Sequence, residues 1–275
     1  MLAVAGAALL WSSGGLGIKA LPLPPLAIAG WRSAFAALAL LAIFRTPPRR
    51  RAAFVAAVVS YAACLTSFVV ATKWTTAANA IFLQYSGVVW VLLFSPRVVG
   101  EAVGARDAAA VAAALVGMAL FFAGRLDTGG RAGDLVALLS GLFFAGLILF
   151  LRRERGDGGV AAATWGNVLA AAVLLPFVAD VAVTPRSWAI LALLGTVQIA
   201  AAYVLFVEGI RRLPAAQASL VGMLEPVANP LWVFLFLGEA PSPLAVVGGA
   251  IVLGAVAWRT RPGRAGESTA IPAPD

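Results

Sequence analysis

The sequence predicts an all-α polytopic membrane protein, with ten transmembrane helices arranged as two inverted five-helix repeats and both termini in the cytoplasm. Three observations predict this fold: the hydrophobic composition, the number of long apolar stretches, and a segment that occurs twice. Of the 275 residues, 62% are hydrophobic and only 12% are charged. Soluble domains are about half apolar and about a quarter charged, so a lipid bilayer is the expected environment.

Ten apolar stretches are long enough to cross a bilayer, which takes about 20 residues of helix. Helices are expected because hydrocarbon cannot hydrogen-bond an exposed backbone. The connections between the stretches are short, and arginine or proline marks most of them. The predicted spans are residues 2–19, 25–44, 53–72, 76–96, 104–124, 133–151, 160–179, 187–209, 213–237 and 241–258.

The basic residues alternate between the two sides of this ten-span arrangement. Of the 20 lysines and arginines, 14 fall on one side, five on the other, and Arg32 inside a span. Cytoplasmic loops carry the excess of basic residues, so both termini are predicted in the cytoplasm. The net charge of +8 then reflects orientation in the membrane, and no nucleic-acid partner is expected. The predicted location is the inner (plasma) membrane, which the chain crosses many times.

A 25-residue segment occurs twice without a gap. Residues 77–80 (Ala-Ala-Asn-Ala) resemble residues 215–218 (Ala-Ala-Gln-Ala), and a Gly-Glu pair closes each copy at 100–101 and 238–239. Both landmarks are offset by 138 positions (215 − 77 and 239 − 101). Each copy holds five spans, an odd number, so the second copy enters the membrane from the opposite side. Such duplication is typical of secondary transporters, whose binding site lies between the repeats.

The predicted units follow from this duplication. Residues 1–126 form the first repeat and residues 127–258 the second. Residues 259–275 are rich in Pro, Gly and Ala and are predicted to form a disordered cytoplasmic tail.

Two ionisable residues fall near the centre of a predicted span, where a charge is expensive and is a candidate for function. They are Arg32 in the second span and Glu225 in the ninth. Each either meets a charged substrate or braces the fold by pairing with polar neighbours or with the other. For Arg32 the sequence favours bracing. The surroundings of Glu225 are unusual, because Pro226 leaves the carbonyl of Gly222 without its helical partner.

Polar and aromatic residues inside other spans are further candidates for contact with a substrate. Amides and hydroxyls suit polar groups of a ligand, and aromatic rings suit its apolar part. The full set of predicted substrate-binding residues is Trp11, Ser12, Asn79, Gln84, Tyr85, Phe144, Gln198, Tyr203, Glu225 and Asn229. Glu101 and Glu239 each follow a span directly and are predicted to anchor a helix end or loop.

The residue inventory argues against catalysis. The chain has no histidine and a single cysteine, Cys64, so no metal site or cofactor is expected, and Cys64 is expected to be a packing residue. No Ser–His pair, G-x-S-x-G elbow or Walker A motif is present. The sequence therefore predicts neither an enzyme nor an ATPase, and it indicates no ATPase subunit.

These landmarks resemble the drug/metabolite transporter superfamily, in particular its EamA-type members. The strongest matches are the Leu-Glu-Pro-Val run at 224–227, with Gly238-Glu239 after it, and the segment 25–32 (Pro-Leu-Ala-Ile-Ala-Gly-Trp-Arg). Residues 10–12 and 83–85 also fit. The resemblance covers the chain to about residue 258. Residues Trp11 and Ser12 in the first span are similar to those of YddG-type exporters of aromatic and other amino acids.

The resemblance implies a central cavity between the repeats and export of small metabolites by alternating access. Spans one, three and four and their mates six, eight and nine line the cavity, and spans five and ten pack behind it. The expected partners are a small amphipathic substrate, amino acids including aromatic ones, and the lipid bilayer. Nucleotide- or lipid-linked sugars are an alternative cargo, and a membrane channel is an alternative class. Proton-coupled antiport and uniport both remain open.

Overall fold

The computed structural model describes residues 1–123, 130–154, 158–228 and 242–260, and within these ranges the ordered elements are all helical. Helices α1 to α13 follow the chain. Their bounds are α1 Leu2–Trp11, α2 Gly14–Ala20, α3 Pro25–Phe44, α4 Ala52–Trp74, α5 Ala77–Gln84, α6 Gly87–Val98, α7 Ala105–Phe121, α8 Arg131–Arg153, α9 Gly158–Leu174, α10 Pro185–Leu193, α11 Ala202–Ile210, α12 Ala215–Gly222 and α13 Pro243–Thr260.

Eight of the ten predicted spans are present as helices long and apolar enough to cross a membrane. The fifth predicted span is helix α7, whose 17 residues rise about 26 Å, slightly less than the hydrocarbon thickness. The ninth begins with α12 and continues as helix over residues 224–228. Its remainder, and most of the predicted tail, lie outside the described residues. The chain is therefore a multi-pass helical membrane protein.

Several of the spans are interrupted near their middle. Helix α1 ends at Trp11, and the Ser12 and Ser13 hydroxyls each donate to a carbonyl three residues back before α2 begins. Helix α5 ends at Gln84, and α12 ends at Gly222. These two helices have the same length, eight residues, and their bounds differ by 138 positions (215 − 77 and 222 − 84). The copies therefore break at corresponding residues.

Helices from the two halves of the chain pack against each other in corresponding pairs. Helix α4 packs along α8, and α11 packs along α1; α3 contacts α9, α6 contacts α12, and α7 contacts α13. Glycine permits the closest of these approaches. A Cβ atom added to Gly248 of α13 would lie 2.4 Å from the Gly117 carbonyl oxygen of α7. No side chain fits there, as is common where membrane helices cross closely.

We predict that Gly248→Ala destabilises the protein by about 1–3 kcal/mol, because the added methyl group forces α7 and α13 apart. The measurement is the midpoint of thermal unfolding in detergent. Gly254→Ala, on the same helix, is the matched control, since no described atom lies within 4 Å of the added Cβ. Equal unfolding midpoints for the two variants would contradict the proposed close crossing.

Candidate functional site

The interrupted helices surround a small cavity at the centre of the bundle. Its volume is about 30 Å³, far below the roughly 300–1,000 Å³ of pockets that hold small organic ligands. In this structure the cavity therefore has no room for such a ligand. Side chains from both halves of the chain line it: Trp11, Arg32, Cys64, Leu65, Phe68, Gln84, Phe144, Gln198, Ile199, Tyr203 and Glu225.

Tyr85 joins the two interrupted helices across the interface between the halves. Its hydroxyl oxygen lies 2.6 Å from the Gly222 carbonyl oxygen and 2.9 Å from Oε2 of Glu225. Pro226 has no N–H, so the Gly222 carbonyl lacks the helical donor that another residue there would supply. Tyr85 supplies a donor in its place. The break in the second half is thus satisfied by a side chain from the break in the first half.

Arg32 of helix α3 brings a guanidinium group to the cavity wall. Its side chain is only 1% exposed. The Nη2 atom lies 3.4 Å from the Leu65 carbonyl oxygen, and Nε has no hydrogen-bond partner among the described residues. The spans of the first half thus hold a buried cation whose hydrogen-bonding capacity is largely unused.

Gln198 reaches the cavity from a π-helical segment, Leu194–Ala201, which lies between α10 and α11. π-helical turns are rare and frequently occur at functional sites. The Gln198 amide nitrogen lies 3.4 Å from the Trp11 carbonyl oxygen. Its Oε1 and the indole Nε1 of Trp11 are both buried without a partner among the described residues.

Aromatic rings form much of the cavity wall. The ring centroids of Trp11 and Tyr203 are 4.9 Å apart, and those of Tyr61 and Tyr203 are 4.5 Å apart. Phe144 of α8 packs edge-on against Tyr85 at 5.8 Å. Tilted and edge-on ring pairs of this kind pack favourably and hold the rings in place. The cavity therefore has rigid apolar walls beside a few polar groups.

Gln84 is held in the cavity wall by the neighbouring helices. Its amide nitrogen donates to the Ser140 hydroxyl at 2.7 Å, and that hydroxyl donates to the Cys64 carbonyl at 3.2 Å. Helices α4, α5 and α8 are thereby connected at the level of the cavity.

Most of the predicted substrate-binding residues meet at this site. Trp11, Gln84, Phe144, Gln198, Tyr203 and Glu225 line the cavity, and Tyr85 contacts Glu225 directly. Ser12 is buried next to Trp11. The structure does not bring Asn79 to the cavity. Asn229 and Glu239 lie outside the described residues.

Asn79 belongs to a polar network at one end of helix α8. Oδ1 of Asp134 accepts hydrogen bonds from the Asn79 amide and the Thr75 hydroxyl, both at 2.9 Å. Lys19 donates to the Thr75 carbonyl at 2.9 Å. This Asp134 network ties together the end of α2, the α4–α5 connection and the start of α8.

A second polar network lies at the other end of α8. Glu101 accepts from Nε of Arg152 and from the backbone N–H of Ala215, both at 2.7 Å. Arg152 also donates to the carbonyls of Ile210 and Arg211 at 2.8 and 2.9 Å. This Glu101 network fixes the connection between α11 and α12. The two networks are separated by 18 residues of helix, or about 27 Å.

The Glu101 network forms part of a larger, basic cleft of about 640 Å³ at the end of the bundle. Its lining residues are Arg97, Val98, Val99, Glu101, Arg152, Arg153 and Arg211. These arginines belong to the side predicted to be cytoplasmic, where the positive-inside rule places them regardless of substrate. We therefore take the central cavity, and not this cleft, as the candidate binding site.

Four lining residues were not among the sequence candidates: Cys64, Leu65, Phe68 and Ile199. They are apolar or weakly polar, so hydrophobicity alone does not distinguish them from core residues. For Phe68 the sequence gives a partial indication of its position: it lies one helical turn from Cys64, on the same face of the helix.

The fold and the cavity define a multi-pass helical membrane protein with a central site lined by both halves of its chain. The model of the EamA-like transporter family matches residues 1–123 and again residues 131–260. The chain therefore belongs to the EamA-like transporter family, within the drug/metabolite transporter superfamily. Members of this family are transporters of small molecules, not enzymes.

Known proteins agree with this assignment. The chain is 29% identical over 197 residues to an uncharacterised transporter of Archaeoglobus fulgidus, covering 70% of this chain and 71% of that protein. It is also similar to a solved crystal structure with a TM-score of 0.80 and 20% identity, covering 94% of this chain and 96% of the other. At that identity the second similarity shows the fold alone.

We predict that Tyr85→Phe destabilises the protein by about 1–3 kcal/mol, since it leaves the buried Gly222 carbonyl without its donor. The measurement is thermal unfolding in detergent. Tyr203→Phe is the matched control, because the Tyr203 hydroxyl forms no hydrogen bond with the described residues although its ring lines the same cavity. A Tyr85→Phe midpoint equal to that of Tyr203→Phe would show that the bridge contributes nothing.

Proposed function

We propose that the protein is a secondary transporter that exports small amphipathic metabolites, amino acids including aromatic ones, across the inner membrane by alternating access. The observation that carries the proposal is the small central cavity, lined from both halves of the chain by aromatic rings and a few polar groups. We further propose ten spans in two inverted repeats, residues 1–126 and 127–258, with both termini in the cytoplasm.

The helix pairing supports the repeat. Under the correspondence of spans one to five with spans six to ten, the α4–α8 contact has its counterpart in the α11–α1 contact. The pairs α3–α9 and α7–α13 each correspond to themselves. Helices α5 and α12 have the same length and lie 138 positions apart, and the family model matches each half of the chain. Both observations also support the repeat. Discontinuous helices at the centre of repeats are typical of transporter sites.

The two polar networks support alternating access. The Asp134 network and the Glu101 network close the bundle at opposite ends of α8, and the cavity residue Phe144 lies between them. Both networks join segments from the two halves of the chain. Opening one network while the other stays closed exposes the cavity to one side only, as alternating access requires.

The cavity wall supports an amphipathic substrate. Trp11, Phe68, Phe144 and Tyr203 offer an apolar surface, and Gln84 and Gln198 offer amide groups. A nucleotide- or lipid-linked sugar carries phosphate charges that need several cations. Arg32 is the sole cation among the described lining residues, which favours amino acids over that alternative. A channel needs a continuous polar path, whereas this cavity has a volume of only about 30 Å³ and largely apolar walls.

Transport is tested by counterflow in liposomes that contain the purified protein. We predict saturable uptake of labelled phenylalanine into vesicles preloaded with unlabelled phenylalanine, and none into protein-free vesicles. Repeating the assay with and without a pH gradient separates antiport from uniport. Lack of counterflow for aromatic and aliphatic amino acids alike would refute the substrate class.

Alternating access is tested with Cys64, the chain's single cysteine, which is buried in the cavity wall. Glu101→Gln removes the ion pair with Arg152. A charged hydrogen bond contributes about 1.5–3 kcal/mol, so we predict about tenfold or faster alkylation of Cys64 by an impermeant maleimide. The faster labelling should occur from the Glu101 side only, in membrane vesicles of defined orientation.

Asp134→Asn is the matched control for this labelling experiment, because it weakens the network at the opposite end of α8. It should accelerate labelling from the opposite side. Equal acceleration from both sides in either variant would contradict gating by these networks.

A further inference from the structure

Two opposite charges line the central cavity without neutralising each other. Arg32 comes from the first half of the chain and Glu225 from the second, and both are buried, at 1% and 8% exposure. None of the ion pairs formed within 4.0 Å by the described residues includes either side chain. The two groups thus share one cavity without forming an ion pair.

This arrangement is costly unless a ligand completes it. A buried charge is destabilising when it has no partner of opposite charge and few hydrogen bonds. Arg32 has one long contact, to the Leu65 carbonyl, and a free Nε–H. Glu225 has one hydrogen-bond partner among the described residues, the Tyr85 hydroxyl. If these residues only braced the fold, the expected arrangement is an ion pair or a saturated set of hydrogen bonds.

Resting on the proposed transport function, we propose that the cavity recognises zwitterions: Arg32 binds the substrate's carboxylate and Glu225 its ammonium group. A guanidinium group presents planar donors that match a carboxylate. A carboxylate accepts the hydrogen bonds of an ammonium group. The bound substrate then gives Arg32 a negative partner and Glu225 a positive partner, which the described residues of the protein do not provide.

Two neutral groups complete the same pattern. The Trp11 indole N–H is a donor without a partner among the described residues, and it suits the second oxygen of a carboxylate. The Gln198 Oε1 is an acceptor without a described partner, and it suits a further ammonium hydrogen. The aromatic rings of Phe144 and Tyr203 are left to contact the side chain of the amino acid.

The position of Glu225 is set by the Tyr85 bridge. Tyr85 of the first half contacts Glu225 and the Gly222 carbonyl together, so Glu225 is tied across the interface to the helix break in the first half. Arg32 is tied to the Leu65 carbonyl of α4. Both groups are therefore held by residues of the first half of the chain, Arg32 by Leu65 and Glu225 by Tyr85.

The test is direct binding, measured by calorimetry on the full-length protein in detergent. The probes are phenylalanine, 2-phenylethylamine, which lacks the carboxylate, and 3-phenylpropionate, which lacks the ammonium group. We expect phenylalanine to bind about 10- to 100-fold more tightly than either analogue, because each analogue leaves one buried charge unpaired. Equal affinity for all three compounds overturns the proposal without any variant.

Two variants then test which residue binds which charged group of the substrate. Arg32→Gln should weaken phenylalanine binding by about 10- to 100-fold and leave 2-phenylethylamine unchanged. Glu225→Gln should weaken phenylalanine similarly and leave 3-phenylpropionate unchanged. Arg186→Gln, a change at an exposed arginine, is the control and should alter no affinity. If Arg32→Gln does not fold, Arg32→Lys should still favour phenylalanine over 2-phenylethylamine, and loss of that preference overturns the proposal.

Failure of this inference is distinguishable from failure of the proposed function. Counterflow of phenylalanine together with equal binding of the three probes leaves the transport function intact and rejects zwitterion recognition. Selective binding without counterflow supports recognition and rejects the transport of amino acids. Absence of measurable binding by all three probes rejects the recognition proposal.

Discussion

The Tyr85 hydroxyl, which lies within hydrogen-bonding distance of the Gly222 carbonyl and the Glu225 carboxyl group, is the group on which the central site depends. Proline at position 226 interrupts the helix and leaves a carbonyl that hydrocarbon cannot satisfy. The partner comes from the helix break in the other half of the chain. One hydroxyl group thus satisfies the break, positions the carboxylate at the cavity and joins the two halves where their helices are interrupted.

Around this point the structure combines a packed centre with a polar network at each end of α8. Ring pairs and the Gln84–Ser140 hydrogen bond fix the cavity wall, and glycines allow α7 and α13 to pack closely behind it. The Asp134 and Glu101 networks are polar, lie at the ends of α8 and join separate segments of chain. Bonds of this type exchange with water when the ends open, so they are suited to reversible closure.

Much of this was accessible from the sequence, because membrane physics restricts the choices. Hydrophobic length predicted eight spans that the structure confirms as helices, and the proline rule predicted the exposed Gly222 carbonyl. The partner of that carbonyl was not predictable, since it lies 137 residues away in the chain. Asn79 was predicted to contact the substrate because of its place in the aligned repeat. Its hydrogen bonds to Asp134 and Thr75 instead make it part of a network at the end of the bundle. Arg32 was predicted to brace the fold; the sequence does not show that its Nε–H has no hydrogen-bond partner among the described residues.

The most direct test of the account is an experimental structure of the protein with L-phenylalanine bound. We predict an enlarged central cavity in which the ligand's carboxylate lies within hydrogen-bonding distance of Arg32 and its ammonium group within hydrogen-bonding distance of Glu225. In that structure either one of the two end networks should be open, or both networks should be closed around the ligand. Phenylalanine bound in the arginine-lined cleft beside Glu101, with the central cavity unchanged, would contradict the account.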